Sequence, residues 1–200
     1  MFVLGLTGSI GMGKSTAAGM FRQFGVPVHD ADAAVHRLLA HDRAAIAAIA
    51  AAFPNAVVDG VVDRQALGAR VFGDPEARRR LEAILHPRVR DATRRFLQRH
   101  SRARTPLVVL DIPLLFETGG AGNVDAVVVV SAPAFVQRQR VMRRPGMTEA
   151  KFAGILESQV PDAEKRLKAD YVVETGLSKY YTLRQIGRII DAVRSRRRCR

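Results

Sequence analysis

Apolar positions change their period along this chain, and each change marks an element. Phe2-Val3-Leu4-Gly5-Leu6-Thr7 is a nearly unbroken apolar run that predicts a first strand. From about Gly13 to Phe24 the apolar residues recur at helical spacing, and Gly25 stands where a helix stop belongs. Val26-Pro27-Val28 predicts a short second strand. From about Ala31 to His100 the character is Ala/Leu/Arg-rich and helical, clearest over Arg78 to Leu85 and Val89 to Gln98. Phe53-Pro54-Asn55, Asp59-Gly60 and Gly73-Asp74-Pro75 punctuate it. A block of that length is not a loop, so it reads as a helical insertion.

Strand character returns at Leu107-Val108-Val109-Leu110-Asp111 and at Ala126-Val127-Val128-Val129-Val130, as continuous runs suited to strands buried on both faces. Helices are predicted from about Ala134 to Arg143 and Glu149 to Gln159, with Arg144-Pro145-Gly146-Met147-Thr148 as a break. Tyr171-Val172-Val173 predicts a last strand and Tyr180 to Val193 a closing helix. Alternation of this kind predicts an α/β fold, a parallel sheet flanked by helices.

Directly after the first strand comes Gly8-Ser9-Ile10-Gly11-Met12-Gly13-Lys14-Ser15, which fits G-x-x-x-x-G-K-[ST] in the required strand-to-helix context. Glycines let successive backbone N–H groups turn inward around phosphates, and the next helix adds the positive end of its dipole. The pattern assigns Gly8, Gly11, Met12, Gly13, Lys14, Ser15 and Thr16 to nucleotide binding. Lys14 would reach the β- and γ-phosphates, and the Ser15 hydroxyl would ligate Mg²⁺. A nucleoside triphosphate with Mg²⁺ is the ligand set this chemistry calls for. Asp111 closes a buried strand, where it reads equally as a turn cap or as a second contributor to the Mg²⁺ shell.

Composition narrows the class. Two hundred residues with 48% hydrophobic content can bury a real core. Cys199 is the one cysteine, which excludes an internal disulfide and a cysteine metal cluster. Neither a secretory leader pattern nor an apolar run of membrane-spanning length is present, so the chain reads as cytoplasmic with no membrane partner. The net charge is +13, and Arg194, Arg196, Arg197, Arg198 and Arg200 crowd its end. Such a field suits phosphate-bearing ligands. No helix-turn-helix, zinc spacing or aromatic-interleaved basic patch accompanies it, so nucleic acid is not expected as a partner.

Asp30-Ala31-Asp32 follows the second strand, at the edge where parallel sheets place ligands. A carboxylate there can orient an attacking hydroxyl or take its proton, while Asp30 also reads as a helix N-cap. Arg140 and Arg144 are four apart and would share a face if one helix reached both. Two guanidinium groups there could stabilise charge spreading over a transferred phosphoryl group; the alternative is a solvated basic face. His36 follows Asp32 by a turn and reads as a surface group; His86 reads either as an acceptor contact or as a packed side chain. Leu114, Leu115 and Phe116 read as an apolar wall that keeps water from a cleft.

Taken together, the nucleotide motif, Asp30-Ala31-Asp32, Leu85-His86-Pro87 and Ile112-Pro113-Leu114-Leu115-Phe116-Glu117 resemble the dephospho-coenzyme A kinase family. Gln137-Arg138-Gln139-Arg140, Arg144, Gln159-Val160-Pro161, Lys165-Arg166 and Ala169-Asp170 continue the resemblance in order, from about Leu6 to Gly176. The resemblance implies transfer of the ATP γ-phosphoryl to the ribose 3′-hydroxyl of dephospho-coenzyme A. It implies Asp32 as base, Lys14, Arg140 and Arg144 as catalytic partners, and Asp32, His86 and Leu114 at the acceptor. It also implies a nucleotide-binding core over 1–30, 105–137 and 166–200, a helical acceptor-binding insertion over 31–104 and a lid over 138–165. Thr175 stands where many members carry Asn, and is expected to cap the next segment. Ile155 stands where many carry Arg, a phosphate contact that Arg143 would have to supply. The expected assembly is a monomer or weak homo-oligomer. A kinase of another nucleotide acceptor remains a rival, as does, from a different class, a nucleotide-gated nucleic-acid-binding protein.

Overall fold

The computed structural model describes residues 1–71 and 73–198; Cys199 and Arg200 lie outside the described residues, as do the side chains of 196–198. A five-stranded parallel sheet runs in the order β2-β5-β1-β6-β7. Its members are β1 (Phe2–Thr7), β2 (Val28–Asp30), β5 (Leu107–Asp111), β6 (Ala126–Ser131) and β7 (Tyr171–Glu174). β1 lies between β5 and β6, with Leu4 opposite Val109 and Ala126. The continuous apolar runs have a direct cause in β6. Val128 and Val130 enter a core with α1 (Lys14–Gln23) and α9 (Lys179–Arg198), while Val127 and Val129 pack on Leu115 and Val124 across the other face. A strand buried on both sides has no polar face to alternate with.

Two compact units emerge from the packing, residues 1–29 with 100–200, and residues 30–99. The first holds the sheet together with α6 (Ala134–Met142), α7 (Glu149–Glu157), α8 (Asp162–Leu167) and α9. The second contains α2 (Ala31–His41), α3 (Arg43–Ala52), β3 (Val57–Val58), β4 (Val61–Val62), α4 (Arg64–Val71) and most of α5 (Pro75–Arg102). It has its own core around Leu39, Ile49, Phe53, Leu67 and Leu85.

Four local readings change. The second strand begins at Val28 rather than Val26: the Val26 N–H is taken by the Phe21 carbonyl at 3.0 Å in closing α1, and Pro27 offers only its carbonyl, to Val109. The 30–99 unit is not wholly helical, because Asp59-Gly60 turns a hairpin between Val57-Val58 and Val61-Val62. Both turn residues have positive φ, 49° and 75°, the geometry a two-residue hairpin loop needs. The two stretches around Leu85-His86-Pro87 are one helix, α5, which continues through Pro87. A proline removes a helical N–H and crowds the preceding turn. The carbonyl that loses its helical N–H is that of Ala83, and in the same turn the Arg88 guanidinium donates to the neighbouring Ile84 carbonyl at 2.8 Å. The closing helix also runs past Val193 to Arg198, and α8 was not foreseen.

Candidate active site

β1 delivers the chain into the glycine-rich loop, and α1 starts at Lys14 with Gly13 as its N-cap. No side chain caps that end, which leaves first-turn N–H groups to an anion. Two glycines are sterically required. Gly11 has φ 77°, and a Cβ there would come within 2.6 Å of Val141. Gly13 has φ 87°, and a Cβ there would lie 3.1 Å from the Thr175 hydroxyl. Gly8 and Met12 are buried in the loop, whereas Ser15 and Thr16 present exposed hydroxyls on the first turn of α1.

Lys14 pairs with Asp111 at the end of β5, and the Asp111 side chain is only 3% exposed. A buried carboxylate against the loop lysine holds the ammonium beside the loop until phosphates compete for it. One partner of Asp111 is therefore the loop lysine itself. Leu114 is half-buried in the turn that follows β5, while Leu115 is fully buried and packs with Phe116 against Val127 and Val129 of β6. The Thr7 hydroxyl donates to the Pro113 carbonyl at 3.0 Å and ties this turn to the end of β1.

Arg140 lies across the loop's far side. Its guanidinium donates to the Thr175 carbonyl at 2.5 Å, to the Thr175 hydroxyl at 3.0 Å and, at 3.4 Å, to the Gly11 carbonyl. The Thr175 hydroxyl in turn donates to the Met12 carbonyl at 2.7 Å. Thr175 is therefore a brace for the nucleotide loop and not a helix cap. That task falls to Ser178, whose Oγ accepts from Tyr181 N–H at the start of α9. Arg144 does not share a helix face with Arg140, because α6 ends at Met142 and Arg143 caps it. Arg144 and Arg143 are exposed in the turn that follows. Ile155 is half-buried in α7.

In the other unit, Asp30 ends β2 and caps α2, its Oδ1 accepting from Ala33 N–H at 2.9 Å. Asp32 falls in the first turn of α2, exposed, with its carboxylate not needed as the cap. His36 is exposed beside Arg64, 3.0 Å from its guanidinium, in line with a surface group. His86 is exposed on α5, one residue before Pro87.

What the sequence left without a role is a buried charge pair. The Lys165 ammonium is 0% exposed and lies 2.8 Å from Glu117 Oε1, a charge contact rather than a well-aligned hydrogen bond. Burial pushes the Glu117 carboxyl up, but Lys165 and the Glu117 and Val160 backbone N–H groups outweigh it and hold its pKa below the usual glutamate range. Both residues stood in quoted motifs, yet Lys165 among so many surface cations gave no sign of burial. Among the described residues no cluster of three or more His, Cys, Asp or Glu could hold a metal by itself. Nor is any helix long and apolar enough to cross a membrane.

Comparison with known proteins places this geometry. The dephospho-CoA kinase family model matches residues 2–179. A dephospho-CoA kinase of Mesorhizobium japonicum is 60% identical over 197 residues, covering 98% of this chain and 99% of that protein. The crystal structure of TT1252 from Thermus thermophilus is similar at TM-score 0.82 and 39% identity, over 96% of each chain. The dephospho-CoA kinase from Campylobacter jejuni shares the fold, at TM-score 0.68 and 24% identity over 96% of each chain.

Proposed function

The chain belongs to the dephospho-CoA kinase family, and we propose from that premise that it phosphorylates the ribose 3′-hydroxyl of dephospho-coenzyme A with ATP, giving coenzyme A and ADP. The observation that carries the reading is the glycine-rich loop at the end of β1, with Lys14 held beside it by a buried Asp111.

Phosphoryl transfer asks little covalent chemistry of a protein and much positioning and charge stabilisation. Loop N–H groups and the N-terminus of α1 bind the β- and γ-phosphate oxygens. Lys14 moves from Asp111 to the phosphates and follows the negative charge as it shifts toward ADP. Asp32 orients the 3′-hydroxyl and takes its proton as the new oxygen–phosphorus bond forms and the bond to ADP breaks. Arg140 braces the loop and contributes positive charge at its rim, and Arg144 adds a second guanidinium from the turn after α6. Acceptor recognition belongs to the 31–104 insertion, with His86 and Leu114 among the contacts.

Ser15 and Asp111 would hold Mg²⁺. Two hard oxygen donors suit an ion that takes one or two protein ligands and completes its shell with phosphate oxygens and water. When bound, Mg²⁺ neutralises charge on the β- and γ-phosphates.

An acceptor panel tests the function. With ATP and Mg²⁺, ADP release should require dephospho-coenzyme A and yield coenzyme A, while adenosine monophosphate and shikimate give only background. Equal turnover with another nucleotide acceptor would replace this reading with a broader kinase.

A further inference from the structure

One residue of the glycine-rich loop has both its backbone N–H and its carbonyl held by glutamines to which the proposed function gives no task. The Ile10 N–H donates to Gln159 Oε1 at 3.1 Å, and the Ile10 carbonyl accepts from Gln137 Nε2 at 2.8 Å. Gln137 is on α6 and 6% exposed; Gln159 lies between α7 and α8. The chemistry fixes which end of each amide faces the loop, because a backbone N–H only donates and a carbonyl only accepts. A carboxylate could replace one glutamine as acceptor, but it would set a negative charge beside a loop that must receive a polyphosphate.

Gln159 is held in turn. The next residue, Val160, donates its N–H to Glu117 Oε1 at 3.0 Å, and Glu117 faces the buried Lys165 ammonium. The Ser131 hydroxyl at the end of β6 donates to Asp162 at 2.6 Å. Residues 159–165 are thus fastened to the sheet and reach the loop through one side chain.

We propose that Gln137 and Gln159 are positioning residues that clamp the backbone on either side of Ile10, presetting the loop for phosphates, and that the Glu117–Lys165 pair sets Gln159 for that contact. The proposal rests on the reading of this loop as the ATP site. A loop fixed before binding loses less conformational freedom when phosphates arrive, so the clamp acts on nucleotide affinity through preorganisation. Neither glutamine touches the reacting atoms.

Gln159→Leu and Gln137→Leu each keep most of the side-chain bulk and strip one hydrogen bond from Ile10. In steady-state kinetics the KM for ATP should rise about tenfold, as befits a part-buried backbone group left unpaired in a loop that is less well preset. The KM for dephospho-coenzyme A should stay within about twofold of wild type, which general loosening of the fold would not respect. A second measurement needs no variant: the Ile10 amide of the wild-type protein should exchange slowly without nucleotide, at a rate like its neighbours in β1. Fast exchange of Ile10 in wild type overturns the clamp, as does an unchanged KM for ATP in both folded variants. A wild-type protein that binds no ATP overturns the loop reading itself, and this proposal with it.

Discussion

At the scale of single residues the proposed chemistry divides between two acids two positions apart in sequence. Asp30 is committed to Ala33 N–H, while Asp32 sits exposed one position inside the same helix turn. Asp32→Asn keeps the size and removes the charge, so turnover should fall roughly a hundredfold or more with ATP affinity little changed. Asp30→Asn should cost little, because asparagine caps a helix as well as aspartate does. Turnover and ATP binding measured for both variants check the ordering, and a dead Asp30→Asn beside an active Asp32→Asn would reverse the assignment. Lys14→Ala should also lower turnover about a hundredfold or more. It additionally leaves the Asp111 carboxylate buried without its cation, so stability has to be measured alongside. A folded Lys14→Ala enzyme with near-normal turnover would remove the loop from the mechanism.

At the scale of elements, the buried pair between the turn after β5 and α8 decides how residues 159–165 are held. Removing one partner of a buried pair leaves an uncompensated charge, so Lys165→Met should cost about 3–5 kcal/mol. Combining Glu117→Gln with Lys165→Met removes both charges and keeps an acceptor for Val160 N–H, and most of that loss should return. A double variant as unstable as Lys165→Met alone would show that the pair's charges are not the cause. The pH dependence has a definite sign. Folding lowers the Glu117 pKa from the ordinary glutamate range, so its stabilisation is complete above that range and is lost as pH falls through the lowered value. Urea midpoints taken from pH 7 downward should therefore fall less steeply below pH 5 in the double variant than in wild type. Legibility differed by element for physical reasons. Strands such as β6 announce themselves because burial on both faces leaves only apolar residues, and the loop announces itself because phosphate binding demands glycines. The hairpin at Asp59-Gly60 was hidden by two-residue strands too short to show a period. The spacing over Arg78 to Leu85 and Val89 to Gln98 does not show whether Pro87 interrupts the helix, and α5 continues through it. Thr175 and Lys165 act through partners remote in sequence, Met12 and Glu117, and no local pattern carries such a contact.

At the scale of the whole molecule, the nucleotide motif and the proposed base belong to units with separate cores, one around Leu4, Phe21, Val128 and Ile190, the other around Leu39, Ile49 and Leu85. A ligand stabilises what it binds, by about 2.7 kcal/mol at a hundredfold excess over its Kd, which is roughly a hundredfold in the exchange rate of amides that open with that unit. ATP with Mg²⁺ should therefore slow hydrogen exchange chiefly within residues 1–29 and 100–200. Adding dephospho-coenzyme A to the ADP-bound protein, where no transfer can occur, should extend the protection into 30–99. Core amides of α3 and α5 make the sharpest probes of that unit, and those of β1 and β6 report on the other. If ATP alone slows both sets equally, the two units open as one cooperative body and separate recognition of donor and acceptor has no thermodynamic basis here. If ATP leaves 30–99 unchanged and the acceptor then protects it, each substrate stabilises its own unit.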